Sequence, residues 1–201
     1  MAILPLQAQD YFLEQYKPYK EGIPSPQAFL GYGIGEYHTR HDRIVHYLET
    51  LASVSENAEI ETYGYTHEKR KLVILRVSAP DHLKNLPELQ QQHLAYTDPG
   101  ASVDASADLP IFVQLGYNVH GNEPSSSEAA LLSAYILVAS EHPMIQHFRQ
   151  EAVVFIDPTI NPDGRDRHTQ WANSYRGDPL VTDTQDAEHN EYFPGGRTNH
   201  Y

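Results

Sequence analysis

The feature that most constrains the fold of this chain is a short apolar run that passes, through the tetrapeptide His-Gly-Asn-Glu, into a longer apolar segment. Residues 111–115 are rich in strand formers and have the length of a buried strand. Residues 129–139 are almost entirely apolar over a length that suits a buried helix, and Pro124 suits its first turn. The pattern therefore predicts a strand that is followed directly by a helix.

His120 and Glu123 lie at this strand-to-helix junction. In open α/β sheets, ligands bind in the crevice at the carboxyl ends of the strands. An imidazole and a carboxylate at this spacing can converge there on one divalent ion, and nitrogen and oxygen donors suit zinc. Ser125 and Glu128 have the spacing of a capping box at the start of the helix. The alternative interpretation of the pair is a solvated histidine beside a helix-capping glutamate.

The His-x-x-Glu spacing by itself supports a metal site only weakly. A chain with 12 histidines is expected to contain roughly one such pair by chance. His46 and Glu49 have the same spacing inside a predicted helix, and nothing around them indicates a metal. It is the position of His120 and Glu123 at the junction that favours them.

Composition excludes several classes of protein. The 201 residues, 40% of them apolar, suffice for one sizeable domain with a core. A net charge of −13 disfavours nucleic acid or an anionic membrane as a partner. The absence of cysteine excludes thiol catalysis, disulfides and iron–sulfur clusters, so any metal must be bound by histidine and carboxylate. No apolar run has the length of a membrane span.

The sequence before the junction predicts an arm, a helix and a hairpin. Residues 1–36 are interrupted by proline and glycine and are interpreted as an irregular surface arm. Thr39, with an acidic residue three positions later, is predicted to cap a helix. Residues 58–63 and 71–78 are predicted to form an antiparallel pair of strands, with a turn at residues 63–65.

The sequence on either side of the junction unit is less regular. Residues 87–94 predict a short helix, and residues 152–156 predict another buried strand. Residues 157–164 contain Pro and Gly in the positions of a double turn. No convincing element is predicted from residue 157 to residue 201.

Two motifs together resemble a known family. His-Gly-Asn-Glu-Pro at residues 120–124 is followed, after a further helix and strand, by Asn-Pro-Asp-Gly at residues 161–164. Their order and separation resemble the zinc metallocarboxypeptidases of the carboxypeptidase A type, over roughly residues 37–201. The resemblance implies an α/β fold, a three-layer α/β/α sandwich on a mixed β-sheet. It also implies that residues 37–201 are the N-terminal part of the catalytic domain, with about the first half of its sheet.

The resemblance assigns roles to three residues. His120 and Glu123 match the first two ligands of the catalytic zinc ion (Zn²⁺). Arg176 matches the arginine that binds the substrate, polarises the scissile carbonyl and stabilises the oxyanion. Three other arginines are alternatives for this role: Arg165, Arg167 and Arg197.

Other residues of the family's site have no match in this sequence. These are the third zinc ligand, the glutamate general base, a tyrosine, and the Asn-Arg pair that binds the substrate's terminal carboxylate. His189 and His200 are candidates for the third ligand, but neither matches the family position. The specificity pocket, which sets the side-chain preference, is expected beyond Tyr201.

The function implied by the resemblance is zinc-dependent hydrolysis of the C-terminal peptide bond of peptides that have a free C-terminus. The 201-residue chain is expected to be a truncated and inactive form. In the family's sheet the first four strands have the order one, two, four, three. Truncation is therefore expected to expose one edge of the strand at residues 111–118, through which copies of the chain could self-associate.

Two other functions and the cellular location remain open at the level of sequence. One alternative is a related zinc amidohydrolase that deacylates N-acyl amino acids, and the other is a non-catalytic binding module. Residues 1–8 resemble the remnant of a signal peptide, but eight residues do not decide the location. A periplasmic or secreted protein is slightly favoured over a cytoplasmic one.

Overall fold

A mixed four-stranded sheet organises the computed structural model, which describes residues 8–103 and 109–176. Its strands are β1 (Ala58–Tyr65), β2 (Lys71–Val77), β3 (Ile111–Gly116) and β4 (Ala152–Asp157). Their order is β1-β2-β4-β3, and only the β3–β4 pair is parallel. The sheet confirms the predicted α/β class, the strand order and the presence of strands at residues 111 and 152. Strand β4 is buried as predicted, whereas the prediction that β3 is buried is wrong, because β3 lies at the edge of the four-stranded sheet and has no buried residue.

The helices of the described part precede and follow these strands. They are α1 (Ala8–Glu14), α2 (Pro26–Leu30), α3 (His41–Val54), α4 (Pro80–Lys84), α5 (Leu86–Thr97), α6 (Pro124–Ala139), α7 (Pro143–Glu151) and α8 (Pro162–Ser174). The junction helix α6 and the short helix predicted at residues 87–94 are both confirmed. None of the helices described here is long and apolar enough to cross a membrane.

The core lies between one face of the sheet and helices α3 and α6. Alternate residues of β2 and β4 point to this face, because side chains alternate along a strand. Its fully buried members are Ile44, Tyr47, Leu48, Leu51, Leu75, Leu131, Ala134 and Ile156. Burying these side chains stabilises the fold by about 1.5–3 kcal/mol for each large aliphatic residue.

The other face of the sheet carries Phe112 and Phe155, whose ring centroids are 5.4 Å apart. Phe155 pairs across the ladder with Arg76, which is not a core residue, so Phe155 lies on this second face. Phe112 contacts the Phe155 ring and therefore lies on the same face. His93 of α5 packs on Phe112 at 4.2 Å between ring centroids. Helices therefore contact both faces, as the three-layer prediction requires.

The prediction that residues 1–36 form an irregular arm is wrong in part, because α1 and α2 lie within it. The arm packs against the end of α6. Tyr19 stacks on Tyr135 with ring centroids 4.7 Å apart, and the Lys20 N–H donates to the carbonyl of Ala139 at 2.8 Å. The proline and glycine content of this segment predicted an irregular arm, whereas these contacts with α6 order it.

Both predicted capping boxes are wrong. Thr39 precedes the N-cap residue of α3, and that cap has no side-chain hydrogen bond. Glu123, not Ser125, occupies the N-cap of α6. The reason is tertiary, because Thr39 donates two hydrogen bonds to the buried carboxylate of Glu128, at 2.7 Å from its N–H and 2.9 Å from its hydroxyl.

The turn predicted at residues 63–65 is also wrong. Strand β1 continues through Tyr65, with a register irregularity between Thr62 and Gly64. The chain reverses later, where the Thr66 N–H donates to the carbonyl of Arg70 at 2.9 Å. Gly64 marks a β-bulge in β1, and a glycine in a strand can indicate either a bulge or a turn.

The absence of structure predicted after residue 157 is wrong, because α8 spans Pro162–Ser174. The Asn-Pro-Asp-Gly sequence starts this helix and does not form a double turn. Asn161 is its N-cap and accepts a hydrogen bond from the Gly164 N–H at 2.9 Å, while Pro162 occupies the first turn. The predictions for residues 1–7, His189, Arg197 and His200 lie outside the described residues.

Candidate metal-binding site

The two sequence motifs follow neighbouring parallel strands. Because β3 and β4 are parallel, the segments that leave their carboxyl ends lie side by side. Hydrogen bonds extend the pairing beyond the strands, from the Ile160 N–H to the carbonyl of Tyr117 at 2.9 Å and from the Asn161 N–H to that of Asn118 at 3.1 Å. The His-Gly-Asn-Glu segment and the start of α8 therefore occupy one edge of the sheet.

Gly121 brings these two segments into direct contact. A Cβ atom at this position would lie 1.9 Å from the carbonyl carbon of Gly164 and 2.2 Å from the amide nitrogen of Arg165. Contacts under 3 Å essentially do not occur for real Cβ atoms, so the position admits only glycine in this arrangement. The glycine of the first motif thus packs on the glycine of the second.

His120 and Glu123 are the first and last residues of one reverse turn. The Glu123 N–H donates to the carbonyl of His120 at 3.0 Å, which is the hydrogen bond that closes a β-turn. The Glu123 side chain makes no cap hydrogen bond and is exposed, so it does not serve as a helix-capping side chain. His120 is half-buried, and its Nδ1 atom is shielded from solvent.

Asn118 lies beneath this turn, and sequence reasoning missed it. Its φ angle of 55° is in the left-handed region, and its side chain is only 2% exposed. The Nδ2 group donates to the carbonyls of His120 and Glu123, both at 3.0 Å. The available signal was an asparagine shortly after a strand and before a turn, a place where this residue tolerates left-handed backbone.

A buried ion pair stabilises the other side of the turn. Arg165 is fully buried and donates to Glu128 at 2.6 Å, to the carbonyl of Thr39 at 3.0 Å and to that of Pro124 at 3.0 Å. Burial lowers the pKa of the Arg165 guanidinium, and the adjacent Glu128 carboxylate opposes that shift. Because its side chain is fully buried, Arg165 joins α8 to α6 and to the segment before α3 and is not placed to meet a substrate.

Arg176 lies at the other end of α8. Its guanidinium carbon is 3.9 Å from the centroid of the Tyr37 ring, the distance of a cation–π contact. Roughly 15 Å of helix separates Gly164, which contacts the turn, from Ser174, which lies two residues before Arg176. Tyr37, however, lines a cavity of about 380 Å³ together with Pro124, the residue after Glu123. The catalytic role of Arg176 stays a prediction.

Two histidines near Arg176 are held in a poorly solvated environment. The rings of His38 and His168 are 5.1 Å apart, and Trp171 packs on His168 at 5.9 Å. Burial, followed by the charges of His38 and Arg165, lowers the pKa of His168 to about 4. Burial also lowers the pKa of His38. Both imidazoles are therefore neutral at neutral pH.

The alternative pair with the same spacing has a different environment. His46 and Glu49 lie on α3, with 65% and 38% of their side chains exposed, and their Nδ1 and Oε2 atoms are 3.9 Å apart. Glu49 also pairs with Lys71 at 2.8 Å. An exposed carboxylate that already has a cationic partner is a poor metal ligand, so the pair serves as a control.

The donors present fit zinc in type and fall short in number. Imidazole nitrogen and carboxylate oxygen suit zinc, and catalytic zinc sites use three protein ligands. Within residues 8–103 and 109–176, no cluster of three or more His, Cys, Asp or Glu side chains could hold a metal ion. The turn carries two side chains of suitable type, His120 and Glu123, and their role as zinc ligands stays a prediction.

Similarity to known proteins is found with one family model and with solved structures. A family model described as zinc carboxypeptidase matches residues 44–197, while no curated protein matches the chain. Similar solved structures include carboxypeptidase A from Helicoverpa armigera, at 18% identity and a TM-score of 0.49. The match covers 78% of this chain and 31% of the Helicoverpa chain.

Two further structures have comparable scores. Thrombin activatable fibrinolysis inhibitor has 16% identity and a TM-score of 0.47, with 79% of this chain and 31% of that one covered. A metallo-carboxypeptidase from Burkholderia cenocepacia has 15% identity and a TM-score of 0.44, with 64% and 28% covered. The chain thus spans about a third of the length of the solved structures that it matches.

Proposed function

The chain belongs to the zinc carboxypeptidase family, and we propose that it forms part of a zinc-dependent peptidase that hydrolyses the C-terminal peptide bond of peptides with a free C-terminus. The observation that supports this most directly is the contact of Gly121 with Gly164. It joins the two motifs at the carboxyl edge of the sheet, where His120 and Glu123 close one turn. Such an edge is the expected place for a ligand in an α/β fold.

Each residue of the proposed site has a distinct task. His120 and Glu123 would bind zinc, which, when bound, acts as a Lewis acid that activates water and polarises the scissile carbonyl. Arg176 would orient the carbonyl and stabilise its developing negative charge, an effect worth about 10²–10³ in rate for one donor. Asn118 and Arg165 hold the backbone of the turn.

The 201-residue chain by itself is proposed to be inactive. Two ligands give neither the affinity nor the geometry of three, so a turn that contributes only His120 and Glu123 would hold zinc weakly. The family resemblance implies that the third ligand, the general base and the terminal-carboxylate site come from later residues. A periplasmic or secreted location also stays a prediction.

The test uses the complete natural polypeptide that contains this sequence. We expect stoichiometric zinc binding that His120→Ala weakens strongly and that the control His46→Ala leaves unchanged. We also expect hydrolysis of a peptide with a free C-terminus and none of its C-terminal amide. Equal zinc affinity in the parent protein and His120→Ala would contradict the site.

Activity on N-acyl amino acids, without activity on peptides, would instead indicate a zinc amidohydrolase. Zinc binding without turnover of either substrate class would indicate a binding module. Both outcomes would contradict the proposed peptidase, and the same substrate panel distinguishes them.

A further inference from the structure

Asn118 stands where the chain leaves β3 and enters the metal-binding turn. Its φ of 55° lies in the left-handed region, which Asn, Asp and Gly adopt more readily than other residues. The residue is 2% exposed, so neither substrate nor solvent explains a polar side chain at this position. Its hydrogen bonds give the explanation.

The side-chain amide of Asn118 binds both ends of the turn. Nδ2 donates one hydrogen to the carbonyl of His120 and the other to that of Glu123, each at 3.0 Å. These partners fix the orientation of the amide, because exchanging its nitrogen and oxygen would place Oδ1 against two carbonyl oxygens. The two anchored carbonyls belong to the two residues whose side chains are the proposed zinc ligands.

The backbone of Asn118 connects the turn to two helices. Its N–H donates to the hydroxyl of Ser126, in the first turn of α6, at 2.7 Å. Its carbonyl accepts a hydrogen bond from the N–H of Asn161, the N-cap of α8, at 3.1 Å. The turn is therefore anchored to both helices through one buried residue.

We propose that Asn118 is a positioning residue that presets the backbone of His120 and Glu123 for zinc binding, without touching metal or substrate itself. Fixing both carbonyls of the turn fixes the directions of the two Cα–Cβ bonds. The ligands then lose less conformational freedom when the metal binds. This inference rests on the proposed function, because it assumes that His120 and Glu123 bind zinc.

Asn118→Gly is the informative substitution, because glycine keeps the left-handed backbone and removes only the amide. Ser78→Ala is the matched control. Ser78 is fully buried and its hydroxyl lies 2.7 Å from the carbonyl of Ala152 and 3.2 Å from that of Arg149, at the opposite end of β4 from the turn. Both variants lose buried hydrogen bonds to backbone, so both are expected to lower the unfolding temperature of the metal-free protein.

Zinc affinity is measured in the complete natural polypeptide by competition with a chelating indicator, and the visible spectrum is recorded with Co²⁺ as the probe. We expect Asn118→Gly to bind zinc about 10–100-fold more weakly than the parent protein and to alter the Co²⁺ spectrum. Ser78→Ala should change neither. If the glycine variant does not fold, Asn118→Asp, which keeps the side-chain size but presents no N–H donors, carries the same expectation.

The outcomes separate the two hypotheses. Equal zinc affinity in the parent protein and His120→Ala would overturn the proposed site and, with it, the role of Asn118. A parent protein that loses zinc on His120→Ala, but keeps its affinity and Co²⁺ spectrum on Asn118→Gly, would overturn the positioning role alone. An equal loss of zinc affinity in Asn118→Gly and Ser78→Ala would also overturn it, because general destabilisation would then account for the effect.

Discussion

A Cβ atom on Gly121 would lie 1.9 Å from the carbonyl carbon of Gly164, so the two motifs of this chain touch through backbone alone. One glycine belongs to the turn that carries His120 and Glu123, and the other to the first turn of α8. The two glycines are 43 positions apart in sequence, and the parallel pairing of β3 and β4 brings them together. The fold therefore places the turn against the helix without any intervening side chain.

Gly121→Ala is expected to destabilise the protein and displace the turn. The added methyl group overlaps backbone atoms, which cannot move aside as a flexible side chain can, and overpacking of this kind costs about 1–3 kcal/mol or more. Gly64→Ala is the control, because its Cβ would meet the Leu72 side chain at an ordinary 3.6 Å. Urea unfolding of both variants measures the difference. A Gly121→Ala variant as stable as Gly64→Ala would contradict the observed packing.

Arg165→Met is expected to destabilise the protein by about 3–5 kcal/mol, because it leaves the buried carboxylate of Glu128 without its cation. Adding Glu128→Leu should recover part of the loss, since the double variant buries no unpaired charge. Lys17→Met breaks an exposed ion pair with Glu14 and should leave the unfolding free energy nearly unchanged. Equal effects of Arg165→Met and Lys17→Met would argue against the buried network.

Arg176→Ala in the complete enzyme is expected to lower kcat by about 10²–10³ and to leave zinc content unchanged. The reason is that a cation aimed at the developing negative charge stabilises the transition state more than the ground state. Steady-state kinetics and metal analysis of the purified variant check both parts. A rise confined to KM would show that Arg176 binds the substrate uniformly and does not stabilise the transition state.

Acid should destabilise the folded chain through His168. Burial lowers its folded pKa to about 4 from an ordinary value of 6.5, so between these values the unfolded chain binds more protons than the folded one. This contribution to stability is therefore present above about pH 6.5 and is lost as the pH falls towards 4. Thermal unfolding across this range should show a smaller loss in His168→Phe. The same pH dependence in both proteins would contradict the assignment.

The isolated 201-residue chain is expected to self-associate through β3. Within the described residues this strand pairs with β4 alone, carries no charged side chain, and begins with Ile111, which is 60% exposed. An uncharged edge strand is a template for pairing with another chain. Sedimentation should detect the association, and Ile111→Lys should weaken it. A single monomeric species at high concentration would count against an exposed edge.

The sequence by itself determined the central unit of the fold. Strands β3 and β4 and helix α6 were predictable because each is a continuous apolar run of the right length. The site was predictable to the extent that His120 and Glu123 stand at a strand-to-helix junction, and the pairing of two motifs identified the family. The His46 and Glu49 pair shows that spacing without such a position carries little information.

Only the tertiary structure decided the partners of the polar residues. Thr39 and Glu128 had the sequence signature of helix caps. In the structure Thr39 binds Glu128 across 89 positions of the chain, and Glu128 binds Arg165 across 37 positions. Asn118 was assigned to the end of the strand at residues 111–118, whereas in the structure its side-chain amide lies beyond β3 and donates to both carbonyls of the turn. Local propensity describes each segment on its own, whereas a buried polar group takes the partner that satisfies it when solvent is excluded. Since that partner comes from a distant segment, its identity is fixed only when the elements pack.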